Sequence, residues 1–108
     1  MDAEVTAIFE SELPAILARN AAQAHGFNAT YQMHVVGAGS WFLDLSPTGP
    51  QVIPGVQPAD CTVTTTVEDF HRIRAKPSLG LDLFLTGRMK VVGSTFLATK
   101  LHKLFSFK

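Results

Sequence analysis

The chain is short of the groups that most often carry chemistry. Among its 108 residues there is a single cysteine, Cys61, so no disulfide can close within it and a thiolate metal site lacks its second ligand. One thiol suits a reducing compartment, and a cytoplasmic location is expected. The start, Met1-Asp2-Ala3-Glu4, is acidic and lacks the basic-then-apolar order of a secretory signal. The ending, Phe105-Ser106-Phe107-Lys108, differs from the Ser-Lys-Leu peroxisomal address. No apolar run approaches the ~18 residues of a membrane span. Charge is scarce as well, at 17% of residues against about 25% in ordinary domains. With 46% hydrophobic residues, the chain has more apolar surface than its charge can dilute.

Catalytic constellations are also missing. His25, His34, His71 and His102 form neither an HExxH motif nor a His-x-His pair, and no metal or cofactor is expected. Cys61 has no neighbour in sequence that would lower its pKa, and is expected to be a small core residue. Asp44, Asp60 and Asp69 stand beside turns and helix starts, where carboxylates cap or face water. Gly37 and Gly39 lack the third glycine and the following helix of a dinucleotide fingerprint. An enzyme is not expected.

The charges present are unevenly placed. Nine bases balance nine acids overall, so no net field draws the protein to nucleic acid. Residues 1–72 hold two bases against eight acids, net −6, whereas residues 73–108 hold seven bases against Asp82 alone, net +6. Two readings stay open: the ends fold against each other, or a basic face meets an anionic head group or lipid surface.

At this length the chain is one domain, residues 1–108. Residues 3–24 carry helical spacing, including Leu13, Leu17, Ala21 and Ala24. Pro14 either falls in the first turn of a helix capped by Ser11 or kinks a longer one. Gly26 is expected to supply the left-handed stop. The period then changes to two: Tyr31, Met33 and Val35 form one strand, and Trp41, Leu43 and Leu45 form its hairpin partner across Gly37–Ser40. Val52–Ile53 is a short strand, and Cys61–Thr66, nearly all β-branched, is the clearest strand. Thr66-x-x-Asp69 has the form of a capping box opening a helix through Phe70 and Ile73. Leu79–Leu85 is assigned to helix and Arg88–Val92 to a strand. Ser94 caps a last helix with Leu97, Leu101, Leu104 and Phe105 on one stripe.

Three stretches, in this order and spacing, resemble the sterol carrier protein 2 (SCP-2) domain. They are Gly39-Ser40-Trp41-Phe42-Leu43-Asp44-Leu45, then Ala59-Asp60-Cys61 through Glu68-Asp69-Phe70, and then Phe84-Leu85-Thr86-Gly87-Arg88-Met89-Lys90-Val91-Val92-Gly93-Ser94 leading into Leu97-Ala98-Thr99-Lys100-Leu101. Ser94 stands where the family usually has Asp or Asn, and can still cap. Arg74-Ala75-Lys76-Pro77 lacks a glycine common there. The resemblance covers about residues 5–106. It implies an α+β fold, a five-stranded, mostly antiparallel sheet with helices packed on one face and an apolar tunnel between sheet and C-terminal helices.

The function so implied is non-catalytic binding, and transfer, of a long-chain lipid: a sterol, fatty acid, fatty acyl-CoA or phospholipid. Trp41, Phe84, Leu85, Met89, Phe96, Leu97, Leu101 and Phe105 are the expected lipid-binding residues, with Lys100 and Lys103 at the head group. Transient contact with an anionic membrane is the expected partner interaction beside the lipid itself. The alternative is an interaction or accessory module that docks on an enzyme of lipid or quinone metabolism, or on a second copy of itself.

Overall fold

Two-residue alternation sorts the strands into a wet face and a dry one. The computed structural model describes residues 3–46, 49–76 and 78–105, without the side chains of residues 80, 81, 99, 102 and 105. Strands β1 (Ala29–Val36), β2 (Gly39–Leu45), β3 (Gln51–Pro54), β4 (Cys61–Thr66) and β5 (Lys90–Gly93) form one sheet in the order β3-β2-β1-β4-β5. β1 lies parallel to β4, and every other neighbouring pair is antiparallel. The sheet is therefore mixed but mostly antiparallel, as expected. Tyr31 stands between Leu43 and Cys61, and Met33 between Trp41 and Val63. With Val35 and Leu45 these residues form one buried face, because side chains two apart on a strand share a side. The helices cover that face in a single core.

The chain must still pass from β3 across β2 and β1 to reach β4. The connection 55–60 does so on the opposite face, where Gln32 fastens it. Gln32, only 1% exposed, donates through Nε2 to the Gly55 carbonyl at 2.9 Å and accepts from the Gln57 N–H at 2.8 Å. Asp60 accepts from the Thr30 N–H at 3.0 Å, and the Thr30 hydroxyl accepts from the Asp60 N–H at 3.0 Å. A buried polar residue on the outer side of the sheet is thus fully accounted for.

Pro14 falls in the first turn of a second helix, as one of the two expectations had it, but without the Ser11 cap. α1 (Ala3–Ala7) runs into a π-helical turn (Ile8–Glu12), then α2 (Leu13–Arg19) and α3 (Ala21–His25). The Leu13 N–H reaches back to the Ile8 carbonyl, and this widened turn seats Pro14 at the start of α2, where its missing N–H leaves no bond unmade. No side chain caps α2, so Ser11 is not its cap. The left-handed stop is not Gly26 either, which keeps φ −63°. Phe27 and Asn28 first bond back to the Ala24 and His25 carbonyls, and Asn28 then turns the chain at φ 46°. Asparagine is the non-glycine residue that tolerates this conformation best.

α4 (Val67–Ala75), α5 (Leu79–Leu85) and α6 (Thr95–Phe105) complete the layer. Both expected caps form: the Thr66 hydroxyl accepts from the Asp69 N–H and the Ser94 hydroxyl from the Leu97 N–H, each at 3.2 Å. The Asp69 side chain, 1% exposed as a residue, accepts from Arg88 at two points, Nε to Oδ2 at 3.2 Å and Nη2 to Oδ1 at 3.0 Å. That bond and the Asp69 charge raise the Arg88 pKa further. Arg88 was expected to open β5, yet the strand starts at Lys90, because α4 holds Arg88 in the preceding turn. Among the described residues, no helix is long and apolar enough to cross a membrane.

Gly93 closes the unit at φ +97°, and a Cβ there would lie 2.5 Å from the Asp60 carbonyl oxygen, whereas Gly87 at φ +79° has open space around it. Gly87→Ala should cost about 1–2 kcal/mol, the price of a left-handed L-residue. Gly93→Ala should cost about 3 kcal/mol or more, since backbone must move as well. Urea unfolding of the two variants checks this ordering, and equal losses would contradict it.

Candidate binding site

The site is built where α6 lies over β4 and β5 and is bonded to the central strand β1 through a tyrosine. Tyr31 is completely buried on β1, and its hydroxyl donates to the Leu97 carbonyl of α6 at 2.7 Å. Phe27, at the entry to β1, meets the Tyr31 ring edge-on, with centroids 6.3 Å apart. The stripe Ala98, Leu101 and Leu104 points into the core, as 3.6-residue spacing requires. The adjacent stripe, Phe96, Lys100 and Lys103, therefore points outward.

Between this outward stripe and the end of α3 lies a cleft of about 280 Å³, lined by Gln23, Gly26, Phe27, Lys100 and Lys103. Lysines in such a place lay their carbon stems along apolar wall and leave the ammonium groups at the rim. Among the described residues no carboxylate comes within 4.0 Å of either lysine. The guanidinium groups behave otherwise: Arg88 binds Asp69 and Arg74 approaches Glu12 at 3.7 Å. The first reading of the charge asymmetry is thus met by the arginines, which tie the halves together, while the helix-borne lysines line the cleft.

The expected lipid-binding residues fall in distinct places. Met89 and Leu101 are buried, and Phe84 and Leu97 are half-buried against the same core. Leu85 and Phe96 are 72% and 65% exposed, with the Lys100 ammonium 4.8 Å above the Phe96 ring. Trp41 is buried under the π-helical turn, stacked on Phe9 at 4.5 Å and donating from Nε1 to Glu10 at 3.1 Å. Phe105 ends α6, and its side chain lies outside the described residues. Lys100 and Lys103 come together at the cleft. Sequence reasoning missed Gln23 and Phe27. The signal was an aromatic residue at the junction of helix and strand, which periodicity assigns to neither.

Cys61, adjacent to Tyr31 across the strands, is completely buried. Burial first, and the neighbouring Asp60 charge second, push its thiol up to about 11. It is therefore a neutral thiol at physiological pH, packed as a core residue. The same burial raises the Tyr31 phenol, with Cys61 and Asp60 adding to the effect. Among the described residues no three His, Cys, Asp or Glu side chains gather as a metal site would need.

A sheet of this order with helices on one face and a C-terminal helix over β4 and β5 defines an SCP-2-like domain. The chain belongs to the SCP-2 sterol transfer family, whose profile matches residues 12–106. It is 35% identical over 85 residues, 72% of its length, to hydroxysteroid dehydrogenase-like protein 2 of Rattus norvegicus, of which it covers 16%. The chain thus spans about one sixth of the length of that curated relative. Among solved structures, the UbiJ-SCP2 ubiquinone synthesis protein superposes with a TM-score of 0.70 at 25% identity, covering 97% of this chain and 91% of that one. The palmitated SCP2L2 of Aedes aegypti superposes with a TM-score of 0.61 at 25% identity, covering 83% of this chain and 90% of that one.

Because the folded protein holds protons on Cys61 and Tyr31 more tightly than the unfolded chain does, unfolding in alkali releases them. The stabilisation is complete below pH 9.0, the ordinary thiol value, and the Cys61 share is lost as pH rises through about 11. The melting temperature should fall across this window, and less steeply in Cys61→Ala. Tyr31→Phe should in addition lower stability by about 1 kcal/mol at neutral pH through loss of the Leu97 bond. Parallel pH profiles for wild type and both variants would contradict the assignment.

Proposed function

We propose that this domain binds a long-chain lipid and carries it without chemical change. The observation that supports this most is the cleft itself, where Phe27 and the carbon stems of two lysines without a nearby carboxylate meet beside the apolar stripe of α6. A fatty acid or other anionic lipid would set its head group between Lys100 and Lys103. At about 280 Å³ the cleft sits just below the ~300–1,000 Å³ of ligand pockets, room for a head group and its first carbons. The rest of the chain would pass beneath α6, against Phe84, Met89, Leu97, Leu101 and Phe105. Leu85 and Phe96 would border the entrance, and Trp41 would close the far end of the same face behind Phe9.

Burying ~400 Å² of apolar ligand at ~25 cal/mol/Å² gives ~10 kcal/mol gross. Association costs of several kcal/mol leave roughly micromolar affinity. Apolar burial discriminates poorly among chains, so selectivity rests on the head group. Binding of this kind needs no cofactor or metal. It suits the cytoplasm, where a lone thiol stays reduced.

A second reading is that of an accessory module serving an enzyme of lipid or quinone metabolism. It is favoured by the match to a small part of a longer dehydrogenase-like protein and by the fold shared with a ubiquinone synthesis protein. A protein that binds no lipid yet forms a stable oligomer in light scattering would favour it.

Titration with a fluorescent fatty acid and with the corresponding fatty alcohol tests the leading reading. Lys103→Glu should weaken the acid by about tenfold, the loss of one charge-assisted contact, and leave the alcohol nearly unchanged. Phe105→Ala should weaken both, with the circular dichroism spectrum retained. Wild type that binds neither probe overturns the reading, and equal losses of acid and alcohol in Lys103→Glu remove the lysine from the head group.

A further inference from the structure

On the reading that the cleft takes a long-chain acid, we propose that the acyl chain bears a hydroxyl in its inner half and that Thr65 receives it. The proposal rests on that reading and narrows its ligand to a hydroxylated fatty acid. Among the described residues three polar or charged side chains are buried: Gln32, Thr65 and Asp69. Gln32 fastens the 55–60 connection and Asp69 holds Arg88, so both are partnered. Thr65 is 2% exposed, and its Oγ1 has no hydrogen-bond partner. A buried hydroxyl in that state costs stability. Valine has nearly the same shape without that need, and Val63 fills the preceding inward position of β4. The domain thus forgoes stability for a hydroxyl that its own atoms do not use, the mark of a group meant for a ligand.

Thr65 also stands at the inner end of the path an acyl chain would take. Cys61, Val63 and Thr65 share the buried face of β4. In register, Cys61 lies beside Tyr31 and Thr65 beside Val35. Tyr31 is the residue whose ring Phe27 meets at the cleft. At the other end Lys90 pairs with Thr64, so Met89, buried just before β5, comes level with Thr65. From the level of Tyr31 to that of Thr65 is about 13 Å, at ~3.3 Å per strand residue. An extended alkyl chain advances roughly 1.3 Å per carbon, a ~1.5 Å bond seen at the zigzag angle, and covers the distance in about ten carbons. With the carboxylate between Lys100 and Lys103 and the first carbons in the cleft, about the twelfth carbon comes alongside Thr65. The threonine hydroxyl both donates and accepts, so it matches an alcohol there, whereas an alcohol buried at another depth finds no partner. A sterol, with one hydroxyl and no acid, answers either Thr65 or the lysines and not both.

The test compares stearate with its 2-hydroxy and 12-hydroxy derivatives by isothermal titration calorimetry on the full chain. Wild type should bind the 12-hydroxy acid about fivefold more tightly than stearate, the equivalent of one net hydrogen bond. The 2-hydroxy acid, whose alcohol stays in the cleft mouth, should gain nothing. Thr65→Val should bind stearate as well as wild type does and lose the preference for the 12-hydroxy acid, and Thr65→Ser should keep it. Without ligand, Thr65→Val should melt about 4 °C higher, because an unmet hydroxyl has been replaced by a methyl group. A lower melting temperature in Thr65→Val means that the hydroxyl is bonded within the protein, and overturns the proposal. Equal binding of stearate and the 12-hydroxy acid by wild type, or a preference retained in Thr65→Val, overturns it while the fatty-acid reading of the cleft stands. Wild type that binds none of the three acids overturns both.

Discussion

A phenol buried on the central strand must have an acceptor, and the Leu97 carbonyl provides it. An unmet hydroxyl in that position costs about 1–3 kcal/mol, so the Tyr31 bond of 2.7 Å fixes the height and rotation of α6 over the sheet. Much of the site follows. With Leu97 tied to β1, Ala98, Leu101 and Leu104 must point down, and Lys100 and Lys103 must turn toward the end of α3. Phe27 then fills the floor between them, edge-on to the same tyrosine. One hydrogen bond thereby links core packing to the cleft rim that carries Lys100 and Lys103.

Local signals in the sequence were legible where local physics decides. Cys61–Thr66 reads as a strand because β-branched side chains fill it, and β4 has those bounds. Thr66 and Ser94 read as caps because their hydroxyls can reach the third residue onward, and both do. Leu79–Leu85 could have been strand or helix by apolar pattern alone, and it is α5. The mixed sheet and its helical cover followed from family resemblance rather than from these signals.

What the sequence hid is long-range. Nothing near Arg88 in sequence announces that Asp69 on another helix will hold it with two hydrogen bonds, so β5 starts two residues later than alternation suggests. The widened turn before Pro14 depends on Phe9 being drawn between Trp41 and Phe70, contacts no helical wheel contains. Gln23 and Phe27 belong to the cleft because α6 arrives from the far end of the chain. By contrast Lys100 and Lys103 were readable, since the apolar stripe of α6 already excluded them from the core.

The central claim is that a lipid acyl chain lies between α6 and the sheet, entering beside Phe27 and the two lysines. Intermolecular nuclear Overhauser effects from carbon-13-labelled palmitate to the protein test it most directly. Contacts from the chain methylenes to Leu97, Leu101 and Met89, and from carbons near the carboxylate to Phe27, are the predicted result. A ligand whose contacts cluster on the outer face of the sheet, around Val36 and Thr64, or that shows none to α6, would contradict it.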